Sequence, residues 1–290
     1  MKKAERTLQY SRLSPKEVNT GRQFLKMHEP SGRIYGINPV FETVRAGRRN
    51  VHCVWLNKDG GNSPRQRKLA NFLAQRGIRV EMADKARLFE LCGTREHQGA
   101  VLEADPFPYT PFAEMLGAPR MVLLDSIEDP HNEGAIMRSA EVFGWQNVLL
   151  PRRGAPLVIP SVVKSSAGAC EHLRIAVNCS ANQYVKIAQD EGYVVVALDG
   201  AGKTPLQDLA AMNHEKLLLV AGGEDSGVSQ FILNTANYVA AIPQAGHINS
   251  LNASVAAGIA LFCLKPEAIA KLSPNSQNAV REGEERDRSV

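Results

Sequence analysis

A chain of 290 residues, 44% hydrophobic and 22% charged, is long enough for about two domains with a buried core in each, and so is no mini-protein. No run approaches the ~18 apolar residues that a membrane span needs, which leaves a soluble, folded protein as the expectation. The five cysteines, Cys53, Cys92, Cys170, Cys179 and Cys263, are odd in number and widely spread. The first residues lack the apolar centre of a secretory signal, so a cytoplasmic protein with reduced thiols is expected. The net charge of +4 hides a division: residues 1–105 carry 20 Lys/Arg against 11 Asp/Glu, whereas residues 106–290 carry 14 against 19. A basic front and a mildly acidic back suggest that one half meets a polyanion, although charge runs are commonly no more than solvated faces.

Residues 1–33 hold eight basic side chains and no sustained period, and read as a flexible basic arm. From Ile34 an apolar helical pattern through Val40, Phe41 and Val44 runs to Gly47, followed by a strand at VHCVWL. A helix at RQRKLANFLAQRG closes at Gly77, and IRVEMA is a strand. DKARLFELCG is a helix opened by Asp84 and closed by Gly93, and GAVLEA is another strand. Residues 34–105 are therefore a small α/β unit. Three prolines in DPFPYTPF interrupt either kind of element, so residues 106–118 read as a linker. In residues 119–266 the apolar runs RMVLLD, NVLL, LRIAV, YVVVALD, KLLLVAG and YVAAIP alternate with helix-compatible segments. That is the pattern of a parallel sheet covered by helices on both faces. Residues 267–290 are a polar tail of mixed charge.

Several chemistries fail on geometry. Gly202, Lys203 and Thr204 imitate the end of a phosphate loop, but the glycine it needs is replaced by Ala197. No cysteine pair has CxxC spacing and the seven histidines are scattered, so no metal site is expected. Ser226 has Glu224 where a nucleophile elbow needs glycine. The turn in LLLVAGGEDSG is too slight a fingerprint for a nicotinamide-dependent oxidoreductase.

Three segments stand out because each follows an apolar strand, where open α/β sheets bind ligands. In LLDSIEDPHNEGAIMRSAEVFG, a turn at Asp129 to Asn132 precedes a helix packed through Ile136, Ala140 and Phe143. Arg138 lies about 200° round that helix from Ile136, off the packing face, as a plain surface arginine also would. In AGGEDSGVSQFIL, Gly222 and Gly223 permit a ligand to approach the backbone, or merely a tight turn. In AAIPQAGHINSLNASVAAGIALF, a polar loop leads to a helix with Ala253, Ala256, Ala257, Gly258 and Ala260, small enough for close helix packing.

In order, spacing and context, DPHNEGAIMRSAEVFG, GGEDSG and IPQAGHINSLNASVAAGIALF resemble the three motifs of the SPOUT superfamily, in its SpoU-type (TrmH-like) ribose 2′-O-methyltransferase branch. The resemblance covers about 145 residues. YGINPVFETVRAG and HQGAVLEA in the first unit resemble the ribosomal-protein-like RNA-binding domain of bacterial enzymes that act on large-subunit ribosomal RNA. The resemblance implies an α/β fold whose C-terminal parallel-sheet domain holds a deep trefoil knot, with S-adenosylmethionine bound in the knot. It implies Gly222, Gly223, Ile242, Pro243 and Leu251 as cofactor-binding residues, and Asn132, Arg138, Glu224, Ser250 and Asn252 as the polar residues of the reaction centre. It further implies a homodimer and an RNA substrate, ribosomal RNA ahead of transfer RNA, with no membrane or metal. A catalytically weak RNA-binding or ribosome-assembly protein of the same fold is the competing expectation. The second motif departs from the family at Asp225, where glycine is usual.

A ribose 2′-hydroxyl is a poor nucleophile that must be aligned with a sulfonium methyl and relieved of its proton. The family view gives Arg138 a base-like role, but a guanidinium in its ordinary protonated form has no free lone pair. Binding the adjacent phosphate and stabilising the developing alkoxide suit it better, with Glu224 and Asn132 orienting the arginine and the nucleotide.

Overall fold

A computed structural model describes residues 32–224, 226–247 and 250–266. The expected arm up to Ser31, the expected tail and Asp225 lie outside the described residues. The first unit runs β1 (Arg33–Tyr35), α1 (Ile37–Ala46), β2 (Val51–Asn57), α2 (Pro64–Gln75), β3 (Val80–Ala83), α3 (Lys85–Cys92) and β4 (Ala100–Ala104). Its sheet has the order β1-β4-β2-β3, with β4 antiparallel to β1 and β2, and β2 parallel to β3. The helix boundaries follow local chemistry. Asp84 Oδ1 accepts from the Arg87 N–H at 2.9 Å at the start of α3, and Gly47 and Gly93 close α1 and α3 in the left-handed conformation. At three residues, β1 is too short to show a period, and only its pairing with β4 reveals it.

The second unit contains β5 (Arg120–Asp125), α4 (Pro130–Val142), β6 (Asn147–Leu149), α5 (Pro160–Ser165), β7 (Arg174–Ala176), α6 (Ala181–Asp190) and β8 (Val194–Leu198). It continues through β9 (Thr204–Pro205), α7 (Leu206–Ala211), β10 (Leu217–Gly222), α8 (Gln230–Thr235), β11 (Tyr238–Ala241) and α9 (Ala253–Cys263). The seven strands are parallel, in the order β7-β6-β5-β10-β8-β11-β9. The continuous apolar runs are explained by burial on both faces. Val122 and Leu124 of β5, with Leu217, Leu219 and Ala221 of β10, enter the core beneath α4 and α9. Met121, Leu123, Leu218 and Val220 enter the opposite core, with Tyr184 and Val185 of α6 and Ile232 of α8. The GKT segment leads into edge strand β9, and a Cβ on Gly202 would lie 2.7 Å from the Val239 carbonyl oxygen of β11, so close packing explains that glycine.

The proline-rich linker is packed between the units, with Phe107 and Phe112 buried and the Thr110 N–H bonded to the Ile175 carbonyl at 2.8 Å. Across this seam Arg49 donates from Nε and Nη2 to the two carboxylate oxygens of Glu171, at 3.0 and 2.6 Å, with both side chains buried. Such a pair offsets its desolvation only because the fork is complete. Arg48 adds bonds to the carbonyls of Leu173, Glu171 and Pro108. One apolar cluster continues from Ile34 and Val40 through Phe107 to Val122 and Trp145, so the units share a core. No helix among the described residues is long and apolar enough to cross a membrane.

Candidate active site

All three segments meet beyond the carboxyl ends of the second sheet. Strand β5 ends at Asp125, whose carbonyl accepts from the Gly223 N–H at 3.0 Å and whose Oδ2 accepts from the Ser229 N–H at 2.9 Å, tying β5 to the turn after β10. Ser126 then turns the chain with φ of 59°, a conformation uncommon outside glycine. Asp129 caps α4, accepting the His131 N–H at 2.9 Å, and Pro130 begins the helix. Asn132 is thereby fixed in the first turn of α4.

From there Asn132 Nδ2 donates to Glu224 Oε1 at 3.0 Å, and Asn252 Nδ2 donates to Asn132 Oδ1, also at 3.0 Å, and to Glu224 Oε1. Asn252 also caps α9, its Oδ1 accepting from the Ser254 and Val255 N–H groups at 3.0 and 3.2 Å and from the Ser254 hydroxyl at 2.6 Å. One triangle of two amides and a carboxylate joins residues 92 and 120 positions apart. It is open to solvent.

Beside the triangle is a cavity of about 520 Å³. Its walls include Leu198, Asp199 and Gly200 at the end of β8; Gly222, Gly223 and Glu224 at the end of β10; Ile242 and Gln244 after β11; and Ser250, Leu251 and Asn252 before α9. Gly222 and Gly223 line the cavity and are also required by the protein's own packing. A Cβ on Gly222 would lie 2.1 Å from the Gly227 carbonyl carbon, and one on Gly223 would lie 2.0 Å from the Ser126 carbonyl oxygen. The turn closes on itself through the Gly227 N–H to Gly223 carbonyl bond, 3.0 Å long.

Pro243 is not among the residues that line the cavity, although Ile242 and Gln244 on either side are. Arg138 is exposed on α4, six residues after Asn132. That spacing puts it about 240° round the helix and about 9 Å along it. Among the described residues Asn132 and Glu224 bond each other and Asn252, and neither bonds Arg138 within the single chain. The small residues of α9 permit close packing of that helix on α4. Ala257 and Ala260 are buried with Leu261 in the core shared with Ile136 and Ala140 of α4, and a Cβ on Gly258 would lie 3.6 Å from Ser139 Oγ.

Two residues here escaped the sequence reading. Asp199 lies on the cavity wall at the end of the apolar run YVVVALD, the same edge as the other motifs, and that position was the available signal. Glu133, next to Asn132, is fully buried with neither carboxylate oxygen hydrogen-bonded among the described residues, and burial pushes its carboxyl well above the usual glutamate range. A glutamate in the first turn of a helix reads from sequence as a solvated charge.

Residues 119–262 match the SpoU rRNA methylase family, and residues 33–110 match the RNA 2′-O ribose methyltransferase substrate-binding family. The chain is 34% identical over 244 residues to an uncharacterized tRNA/rRNA methyltransferase of Mycobacterium avium, covering 81% of this chain and 77% of that protein. It is 27% identical over 243 residues to the putative TrmH family tRNA/rRNA methyltransferase YacO of Bacillus subtilis, covering 81% and 96%. The fold is similar to the crystal structure of the SpoU methyltransferase AviRb from Streptomyces viridochromogenes in complex with AdoMet, with a TM-score of 0.65 and 25% identity over 80% of this chain and 88% of that one. With its three motifs gathered at the end of a parallel sheet and a substrate-binding unit ahead of them, the chain belongs to the SpoU (TrmH-type) family of RNA methyltransferases.

Proposed function

We propose that this protein transfers a methyl group from S-adenosylmethionine to a ribose 2′-hydroxyl of structured RNA. The observation that carries this reading is the Asn132–Glu224–Asn252 triangle at a 520 Å³ cavity open to solvent. That volume is within the ~300–1,000 Å³ of small-molecule sites, and the donor set suits the cofactor. Leu198, Ile242 and Leu251 offer apolar surface to a base and exclude water, while Asp199 and Glu224 present carboxylates to a cation. When bound, the cofactor supplies an electrophilic methyl on a positively charged sulfur. The triangle holds the three loops at fixed separation, so that the 2′-hydroxyl meets a preorganised site. Arg138 binds the phosphate beside the reacting ribose and stabilises the developing alkoxide, whose proton passes to water at the solvent-open triangle.

Residues 34–105 supply the RNA-recognising unit and residues 119–266 the transferring one, in the cytoplasm. Ribosomal RNA is placed ahead of transfer RNA because the first unit resembles the ribosomal-protein-like domain of large-subunit enzymes. The trefoil knot belongs to the same reading. It is supported by a path in which β10 inserts between β5 and β8, β11 falls on the far side of β8, and α9 returns to pack on α4. Incubation with labelled cofactor and purified ribosomal or transfer RNA, then nuclease digestion, is expected to yield a labelled 2′-O-methylnucleoside from ribosomal RNA. Label from transfer RNA alone reverses the order of substrates; label from neither favours the non-catalytic RNA-binding protein.

The active form is a homodimer. Val255, Ile259 and Phe262 of α9 are 49%, 37% and 51% exposed at helical spacing, beside Val142 of α4 at 51%. Pairing through this apolar stripe brings Arg138, one turn before Val142, to the interface. Light scattering at micromolar concentration is expected to give twice the chain mass of 31.6 kDa, and a monomer would overturn the assembly.

A further inference from the structure

We infer that the face of the first unit formed by α1 and α2 is where the RNA phosphate backbone docks, an inference that rests on the RNA substrate proposed above and assigns it a surface. Between Gly60 and Val80 the chain carries Arg65, Arg67, Lys68, Arg76 and Arg79 and no acidic residue. Helix α2 is oriented by Leu69 and Leu73, fully buried, and by buried Gln66, whose Nε2 donates to the Asn57 carbonyl at 2.7 Å. At 100° per residue, Arg65, Lys68, Phe72 and Arg76 then share one stripe about 80° wide on the flank of the helix.

That stripe meets α1 through an aromatic pair. The rings of Phe41 and Phe72 stack with centroids 4.0 Å apart and planes 19° apart. Arg45 lies over Phe41 at 4.8 Å and Lys68 at 5.9 Å, and Arg76 lies over Phe72 at 4.1 Å. Of the four cations along this stripe and its aromatic pair, Arg65, Lys68 and Arg76 have no carboxylate partner among the described residues; Arg45 shares Glu42 with His172.

Ordinary helix packing with solvated basic ends explains the buried side but not the charge. Arg65 and Lys68 stand three residues apart near the positive end of the α2 dipole, and both the like-charge spacing and the dipole disfavour that placement. A fold accepts a local penalty of this kind where function requires it. Stacking on the rings orders the Arg45 and Arg76 guanidinium groups in advance and leaves their N–H edges for anionic oxygens. Because the two rings face each other and the cations, they are not free to stack bases. The surface therefore tracks phosphates without reading sequence, and target choice is left to RNA shape and the catalytic unit.

The test is fluorescence anisotropy with a structured ribosomal RNA fragment across a salt series, on the full-length protein and its Arg65→Gln/Lys68→Gln/Arg76→Gln variant. Loss of three phosphate contacts is expected to weaken binding roughly 100-fold at 0.15 M salt and to flatten the log–log salt dependence by about 2–3. Cofactor affinity, measured by calorimetry, is expected to stay the same, which shows that the variant is folded, and Lys186→Gln on α6 serves as a control with little effect. Wild-type affinity and salt slope in the triple variant would overturn the assigned face while leaving the RNA substrate intact. A wild-type protein that binds no RNA would overturn both. Competition by polyglutamate as effective as by RNA of equal charge would overturn the assignment in favour of an acidic protein partner.

Discussion

Replacing Arg138 by alanine is expected to lower the rate of methyl transfer by about 10²–10³-fold, the usual loss when one donor to a developing oxyanion is removed. The side chain is exposed, lacks a partner among the described residues and does not line the cavity. Its removal should therefore leave folding and cofactor affinity within about twofold of wild type. Arg138→Lys should recover little, because an ammonium keeps the charge but loses the planar fork that holds a phosphate oxygen and a reacting oxygen together. The loss should persist at saturating cofactor and RNA, and single-turnover measurement under those conditions isolates it from binding. Near-normal turnover by the alanine variant removes Arg138 from the mechanism.

The second sheet was legible because its strands are buried on both faces. RMVLLD and KLLLVAG are continuous apolar runs for the same reason that β5 and β10 supply alternate side chains to two cores. The first sheet was legible through its punctuation, with Asp84, Gly47 and Gly93 marking helix ends. Local pattern said nothing about which strands adjoin. That β10 lies between β5 and β8 depends on contacts across many residues, and the two-residue strand β9 has no period at all. In the site, the residue types of Asn132, Glu224 and Asn252 could be picked out from the chain, but not that they bond one another. For Gly222 and Gly223 the sequence shows only that a side chain is missing, whereas the coordinates show that backbone occupies the space a Cβ would take while both residues also line the cavity. Glu133 was passed over because charge in a first turn is normally solvated.

Glu133 should make the protein lose stability as pH rises, the reverse of an ordinary salt-bridged glutamate. The N-terminal end of α4 favours a carboxylate by about 0.3–1 kcal/mol, up to ~2 where partly buried. Removing an ion from water costs several kcal/mol, and neither Glu133 oxygen has a hydrogen bond to offset it, so burial wins and the folded-state pKa is raised. The folded protein then holds this proton more tightly than the unfolded chain does. Stability from the protonated group is fully present below the unfolded pKa, near 4.5, and is lost as pH rises from there until the buried group itself ionises. The slope over that window approaches about 1.4 kcal/mol per pH unit for one proton. Glu133→Gln keeps the shape and cannot ionise, so its stability relative to wild type should grow with pH, and Glu133→Leu, which also removes the unsatisfied polar atoms, should behave in the same direction. Urea unfolding of the three proteins at pH 5, 6.5 and 8 measures this divergence. Other titrating groups are common to all three and cancel in the differences, so parallel curves for wild type and Glu133→Gln would mean that the carboxylate has a partner in solution and that the helix carrying Asn132 is not built around a buried proton.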